Sequence, residues 1–320
     1  MRKLVSVVVP CFNESEVIDH TVNELLDVTN LISGTHFEII FVNDGSSDDT
    51  ESKLLKHSTH HDNIHIISLS RNFGHQQAVS AGLDASRGDA VVVIDADLQD
   101  PPRVIEDMIV KWQAGYSVVY GIRARREGES AFKLASAKIF YRLLNRLSEV
   151  PIPLDTGDFR LMDREVVDQL IAMPERARFI RGMVSWVGFN QTSVTYERSP
   201  RFAGESKYPL TKMLNLAMDG ILSFSVKPLK LAIIMGFACA GIAFFIVLYS
   251  IYIRLATEQW VSGWTSLHVS ILFMGGVQLI SIGILGEYIA RIYNESKRRP
   301  LYITKKRLGL DSKQTEDPAE

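Results

Sequence analysis

The chain has 320 residues, a formal net charge of −2 and a mean hydropathy of +0.06. That charge speaks against a nucleic-acid partner, which needs a basic surface. The two cysteines, Cys11 and Cys239, lie far apart in sequence, set up no disulfide framework and fit a reducing compartment.

Leu4 to Val9 reads as a first buried strand, stopped by Pro10, with Asn13 or Ser15 placed to cap the helix that follows. Phe37 to Val42 is a second strand and runs into Asn43-Asp44-Gly45-Ser46-Ser47-Asp48. Asp44, at a strand terminus before glycine, is placed either to accept hydrogen bonds from a nucleotide base or ribose, or to cap a turn. Ile64 to Leu69 is a third strand, and Ser70 to His75 leads into another helix. Ala90 to Ile94 is the fourth, a run of apolar residues of the kind buried on both faces of a parallel sheet.

That fourth strand ends abruptly in acid. Asp95, Asp97 and Asp100 crowd its carboxyl end, where open α/β sheets bind ligands. Carboxylates this close repel one another, so a cation is expected among them. A hard divalent ion, Mg²⁺ or Mn²⁺, shared with substrate phosphates suits oxygen donors. The plainer alternative is a solvated acidic turn that caps a helix starting near Arg103. Strands alternating with helical patterns predict an α/β fold with a doubly wound, mainly parallel sheet. Neither G-x-G-x-x-G nor G-x-x-x-x-G-K-[ST] occurs, which disfavours a dinucleotide-binding or P-loop enzyme.

Tyr116 to Gly121 adds a strand, followed by Arg123, Arg125 and Arg126. From Phe132 to Leu147 an amphipathic pattern sets Phe132, Ile139, Phe140, Leu143 and Leu147 against Lys133, Lys138, Arg142 and Arg146. It suits a helix on an anionic membrane surface, or an ordinary surface helix packed on the sheet. In Asp155-Thr156-Gly157-Asp158 two acids flank a glycine just before a short strand. Arg198 to Tyr208 is a basic loop ahead of an amphipathic segment from Leu210 to Phe224. Basic groups there suit an acidic lipid head group.

Leu231 to Ile253 and Ser266 to Gly286 contain no Asp, Glu, Lys or Arg. Each is close to the roughly 20 residues that cross a bilayer. Lys227 and Lys230 precede the first run, and Arg291, Lys297, Arg298, Arg299, Lys305, Lys306 and Arg307 follow the second. By the positive-inside rule both termini face the cytoplasm, with Trp260 and Trp264 in an external hairpin. The expected organisation is a catalytic domain over 1–228, a two-helix transmembrane domain over 229–290 and a basic tail over 291–320, polar and disordered from Asp311.

The motifs together resemble a known family. Val9-Pro10-Cys11-Phe12-Asn13-Glu14, Val42-Asn43-Asp44-Gly45-Ser46, Asp95-Ala96-Asp97 and Gly204-Glu205-Ser206-Lys207-Tyr208 look like those of family 2 inverting glycosyltransferases. Within it the chain is similar to the polyisoprenyl-phosphate glycosyltransferases, above all the bacterial undecaprenyl-phosphate glucosyltransferase branch. The resemblance implies a GT-A fold, a nucleotide-sugar donor and a polyprenyl-phosphate acceptor in the inner membrane. It places Pro10, Asn13, Glu14 and Asp44 in the nucleotide pocket. It gives Asp95 and Asp97 the metal on the donor diphosphate, with Gln99 nearby. Asp158 matches the acid assigned as catalytic base, and Arg123, Arg125, Arg201 and Lys207 match contacts to the diphosphate or the lipid phosphate. UDP-glucose is the expected donor. GDP-mannose, a modified UDP-pentose, or a non-catalytic membrane scaffold are the alternatives. A homo-oligomer is compatible with the amphipathic segments.

Overall fold

The structure, a computed structural model, describes residues 3–123, 156–197, 225–257 and 263–310. These divide into a sheet unit, which takes in the described residues up to 197 and those from Arg299 onward, and a helical unit from Ser225 to Arg298. Arg125, Arg201, Lys207, the segments around 132–147 and 198–224, Trp260 and the tail from Asp311 lie outside the described residues.

The sheet unit holds β1 (Lys3–Cys11), β2 (Thr35–Asn43), β3 (Ile64–Leu69), β4 (Ala90–Val93), β5 (Val118–Arg123), β6 (Thr156–Asp163), β7 (Gln191–Tyr196) and β8 (Thr304–Leu308). Its helices are α1 (Ile18–Leu31), α2 (Thr50–Ser58), α3 (His75–Ala85), α4 (Val104–Gln113), α5 (Arg164–Ala172) and α6 (Ile180–Val187). Among the described residues the strands order as β7-β5-β6-β4-β1-β2-β3-β8. The block β4-β1-β2-β3 is parallel, as expected, and so is the pair of β5 with β7. β6 runs antiparallel to both β4 and β5, and β8 antiparallel to β3, so the sheet is mixed.

The apolar strands are buried on both faces because helices cover both. Val5, Val7 and Val9 of β1 pack into one cluster with Ile18, Val22 and Leu25 of α1 and with Ile105 and Met108 of α4. A fully buried Val, Leu or Ile contributes about 1.5–3 kcal/mol. Val8 points to the other face, against α3. There a Cβ on Gly82 would lie 2.2 Å from Val8 Cγ1, so only glycine lets α3 settle this close to the sheet. Pro10 does not stop β1, which continues to Cys11. β4 pairs with β1 only as far as Val8–Val93, so the N–H that proline lacks is not needed on that side.

Helix capping also differs from expectation. α1 starts at Ile18 without a side-chain cap, and Asn13 and Ser15 serve a different purpose. Asn13 Oδ1 accepts from Ser47 N at 2.8 Å, and Ser15 N donates to Asp48 Oδ2 at 3.1 Å. The β1–α1 and β2–α2 loops are thus joined at the carboxyl edge of the sheet. The β2–α2 loop in turn passes against the β3–α3 loop at Gly45. With φ at +66°, a Cβ there would sit 2.3 Å from the Arg71 carbonyl carbon.

β8 lies within the segment expected as a basic tail. Beyond its pairing with β3, Ser70 N donates to Ile303 O at 2.9 Å and Tyr302 Oη donates to Asp84 Oδ2 at 2.6 Å. The expected C-terminal tail therefore contributes an edge strand and a clasp on α3. In the helical unit, α7 (Lys227–Thr257) and α8 (Trp264–Ser296) contain stretches, 227–253 and 269–296, long and apolar enough to cross a membrane. Phe237, Phe245, Leu272 and Leu279 are exposed, as side chains facing lipid would be. α8 runs ten residues past Gly286, further than the uncharged run alone indicates.

Two measurements check this frame. Gly45→Ala is expected to destabilise by about 1–3 kcal/mol, because it combines a left-handed backbone with a backbone clash. Thermal unfolding beside wild type reads it, and an unchanged midpoint would contradict the close approach. Ending the chain after Arg299 is expected to lower the unfolding midpoint by several degrees, through loss of β8 and the Tyr302–Asp84 hydrogen bond.

Candidate active site

The carboxyl ends of β1, β2 and β4 bring together the first group of candidates. Asp44 leaves β2 buried, and its carboxylate accepts from Phe73 N at 2.7 Å and Gly74 N at 2.9 Å. Burial raises its pKa, and the two amides oppose that rise. The structure thus shows Asp44 fastening the β3–α3 loop, an office between the two readings left open by the sequence. Asn13, at φ +53°, donates from its backbone to Ser46 Oγ at 3.0 Å, and Glu14 N donates to Thr50 Oγ1 at 2.9 Å. Pro10 is buried beneath them. Cys11 is also buried. Burial first, then the charges of Glu14 and Asp95, push its thiol up, so it stays protonated and inert.

The acidic stretch after β4 is shaped by its own backbone. Thr21 Oγ1 on α1 donates to Ala96 O at 2.7 Å, Leu98 has φ +53°, and Gln99 N donates to Asp97 Oδ1 at 3.2 Å. This turn separates the three carboxylates. Asp100 is turned inward, 1% exposed; it is paired with Arg123, whose Nε and Nη2 lie 3.2–3.3 Å away, and accepts from Tyr196 Oη at 2.5 Å. Arg123, which the family resemblance assigns to a substrate phosphate, is held in place by Asp100. Asp95 and Asp97 remain half-exposed.

Asp95 carries the electrostatic strain of the site. Burial drives its carboxyl up to about 6, with Asp158, Asp97 and Asp100 adding repulsion and His75 opposing it. Surplus negative charge on hard oxygen donors fits a divalent cation such as Mg²⁺ or Mn²⁺. Among the described residues no group of three or more His, Cys, Asp or Glu side chains gathers for a metal, so Asp95 and Asp97 would share an ion with a ligand and water.

β6 delivers Asp158 to the same region. Arg181, in the first turn of α6, approaches it with Nε 2.8 Å from Oδ1 and Nη2 3.1 Å from Oδ2. His75 Nε2, at the start of α3, lies 3.1 Å from Asp158 Oδ2 and 3.8 Å from Asp95. The fully buried Arg160 donates from Nη2 to Gly157 O at 2.9 Å and lies 3.7 Å from Asp158 Oδ1. Burial alone would raise the Asp158 pKa, but Arg181 and then His75 hold it well below the usual carboxylate range. Burial lowers the His75 pKa in turn, yet the Asp158 hydrogen bond and the Asp95 and Asp158 charges bring it up to about 9.

Sequence reasoning did not single out His75, Arg181, Arg160 or Tyr196. Arg160 carried a signal, an arginine set between Phe159 and Leu161 in the middle of a strand. Arg181 carried none, since its meeting with Asp158 is made by the fold.

The region 6–171 matches the model of glycosyl transferase family 2, and 227–292 matches that of the GtrB C-terminal hairpin. YkcC of Bacillus subtilis (strain 168), an uncharacterized glycosyltransferase, is 50% identical over 308 residues, which are 96% of this chain and 95% of that one. The bactoprenol glucosyl transferase of Shigella phage SfV is 46% identical over 304 residues, 94% of this chain and 98% of that one. Among solved structures, glucosyl-3-phosphoglycerate synthase from Mycobacterium tuberculosis is similar over 69% of this chain and 78% of that one, at 22% identity and a TM-score of 0.45. With its family domain followed by the matching hairpin, this chain is a glycosyltransferase that belongs to glycosyl transferase family 2.

Proposed function

We propose that the enzyme transfers glucose from UDP-glucose to a polyprenyl phosphate held in the inner membrane, with inversion at the anomeric carbon. One observation carries this reading. A sheet edge that sets Asp95 and Asp97 near His75 and Arg181 is joined, in one chain, to two helices of bilayer length. The name of the phage relative, a bactoprenol glucosyl transferase, supports the same acceptor and sugar.

In this reading Pro10, Asn13, Glu14 and Asp44 line the nucleotide side, with Gln99 beneath the acidic turn. Asp95 and Asp97 would hold Mg²⁺ or Mn²⁺ against the donor diphosphate. When bound, the ion stabilises the negative charge that gathers on the leaving group. Arg123 keeps Asp100 neutralised, so the turn keeps its shape. Arg125, Arg201 and Lys207 are assigned to the acceptor phosphate by their match to the family motifs. A phosphate monoester has a second pKa of about 6 and is largely a dianion at neutral pH. Its oxygen is nucleophilic without losing a proton. The two helices span the membrane, with both termini and the catalytic unit in the cytoplasm. They keep enzyme and acceptor on one surface, which raises their effective concentration.

Turnover of the full chain with UDP-glucose, undecaprenyl phosphate and Mg²⁺ tests the reading. Asp97→Ala is expected to lose at least ~100-fold in turnover, along with the Mn²⁺-dependent thermal stabilisation by UDP. Stabilisation by GDP in place of UDP would redirect the donor.

The cation cluster also sets a pH window. The folded pKa of His75, about 9, lies above its ordinary value of 6.5. Its contribution to stability is therefore complete below about pH 6.5 and is lost as pH rises through 9. The unfolding midpoint is expected to fall over that interval, and His75→Gln to flatten the fall. An equal slope in the variant would remove His75 as its source.

A further inference from the structure

We propose that Asp158 is a positioning residue and that Arg181 and His75, which it holds, are the groups that meet a substrate phosphate. The inference rests on the reading above, in which both substrates carry phosphate.

The arrangement is layered. Asp158 is 13% exposed, whereas Arg181 and His75 are 26% and 33% exposed, so the cations form the outer face and the carboxylate lies behind them. Arg181 meets Asp158 through two parallel hydrogen bonds, a geometry that fixes the guanidinium plane. The helices bearing the two cations are themselves tied together, since Ile180 N at the start of α6 donates to Gln76 Oε1 on α3 at 3.0 Å. His75 and Arg181 are thus neighbours of fixed spacing, and Arg160 supports the carboxylate from below.

A proton acceptor needs the opposite layering, with its carboxylate presented to the nucleophile. Here both oxygens of Asp158 already accept from cations. The chemistry does not call for a base either. An acceptor phosphate oxygen forms the new bond to the anomeric carbon, the carbon–oxygen bond to the nucleoside diphosphate breaks, and its electron pair leaves with the diphosphate. No proton is transferred. What the step does need is cationic charge facing phosphate oxygens, and the outer layer supplies it. Two sources share that chemistry, the acceptor monophosphate and the donor diphosphate.

The test uses the full chain in detergent–lipid micelles, with Asp158→Asn, Arg181→Ala, Arg181→Lys and the double variant Asp158→Asn/Arg181→Ala. KM for undecaprenyl phosphate, kcat, and UDP affinity by calorimetry are measured for each, and thermal unfolding checks that each folds. Arg181→Ala is expected to raise KM for the lipid at least ~10-fold if the cations face the acceptor, or to weaken UDP by a similar factor if they face the donor. Asp158→Asn should act on the same substrate, the double variant should be no worse than the more impaired single one, and Arg181→Lys should recover only part of the loss. The proposal is overturned if Asp158→Asn lowers kcat ~100-fold with both affinities intact while Arg181→Ala resembles wild type. It is also overturned if Arg181→Ala changes neither affinity. Failure of wild type to glucosylate the lipid would sink the functional reading instead, and binding of UDP and of inorganic pyrophosphate to wild type and Arg181→Ala would still decide the role of Arg181.

Discussion

Four carboxylates converge at the carboxyl edge of the sheet, and mutual repulsion among them is the constraint around which the site is built. Each is accommodated differently. Asp100 is turned inward and closed off by Arg123 and Tyr196. Asp158 is paired with Arg181 and His75. Asp97 accepts from the backbone of its own turn, and Asp95 keeps a surplus of negative charge. The uneven distribution makes the site directional. The two paired acids are held by cations of the protein itself, and Asp95 keeps the strain.

The scaffold explains why that distribution is stable. α3 lies close on the sheet because Gly82 has no Cβ to meet Val8, and His75 is its first residue. The loop before it is fastened by Asp44 through two amides and sits against Gly45. A sub-ångström shift of that loop would move His75 relative to Asp158. Close packing of this kind transmits strain rather than absorbing it. Residues remote from any reacting atom, Gly82 and Gly45 among them, therefore share in setting the spacing of the charges.

Much of this was legible in the sequence, for physical reasons. Apolar runs at Leu4–Val9 and Ala90–Ile94 declare doubly covered strands, and the abrupt acid after Ile94 declares the carboxyl end of the fourth. Two uncharged runs of bilayer length declare themselves by composition alone. What could not be read was produced by tertiary placement. The antiparallel direction of β6 is not encoded in its own residues. Arg181 reaches Asp158 only because α6 is docked on α3 through Gln76. The pairing of Arg123 with Asp100 could not be read either, because the two meet only when β5 is placed beside the acidic turn. Thr304–Leu308 looked like a tail because Lys305, Lys306 and Arg307 are exposed. Charged side chains of that kind are how edge strands avoid pairing with other chains.

The edge strand has a consequence for the birth of the protein. Chains fold from the N-terminus as they are made, and β3 is complete long before β8 emerges. Between them lie both apolar helices, so the flank of β3 stays unpaired until the whole hairpin has left the ribosome. An uncovered strand edge is a template for association with other chains. Closure of the sheet by Thr304–Leu308 is thus a late step that only a chain with its hairpin already synthesised can take, and fragments arrested within either helix would carry a sticky flank for quality control to recognise.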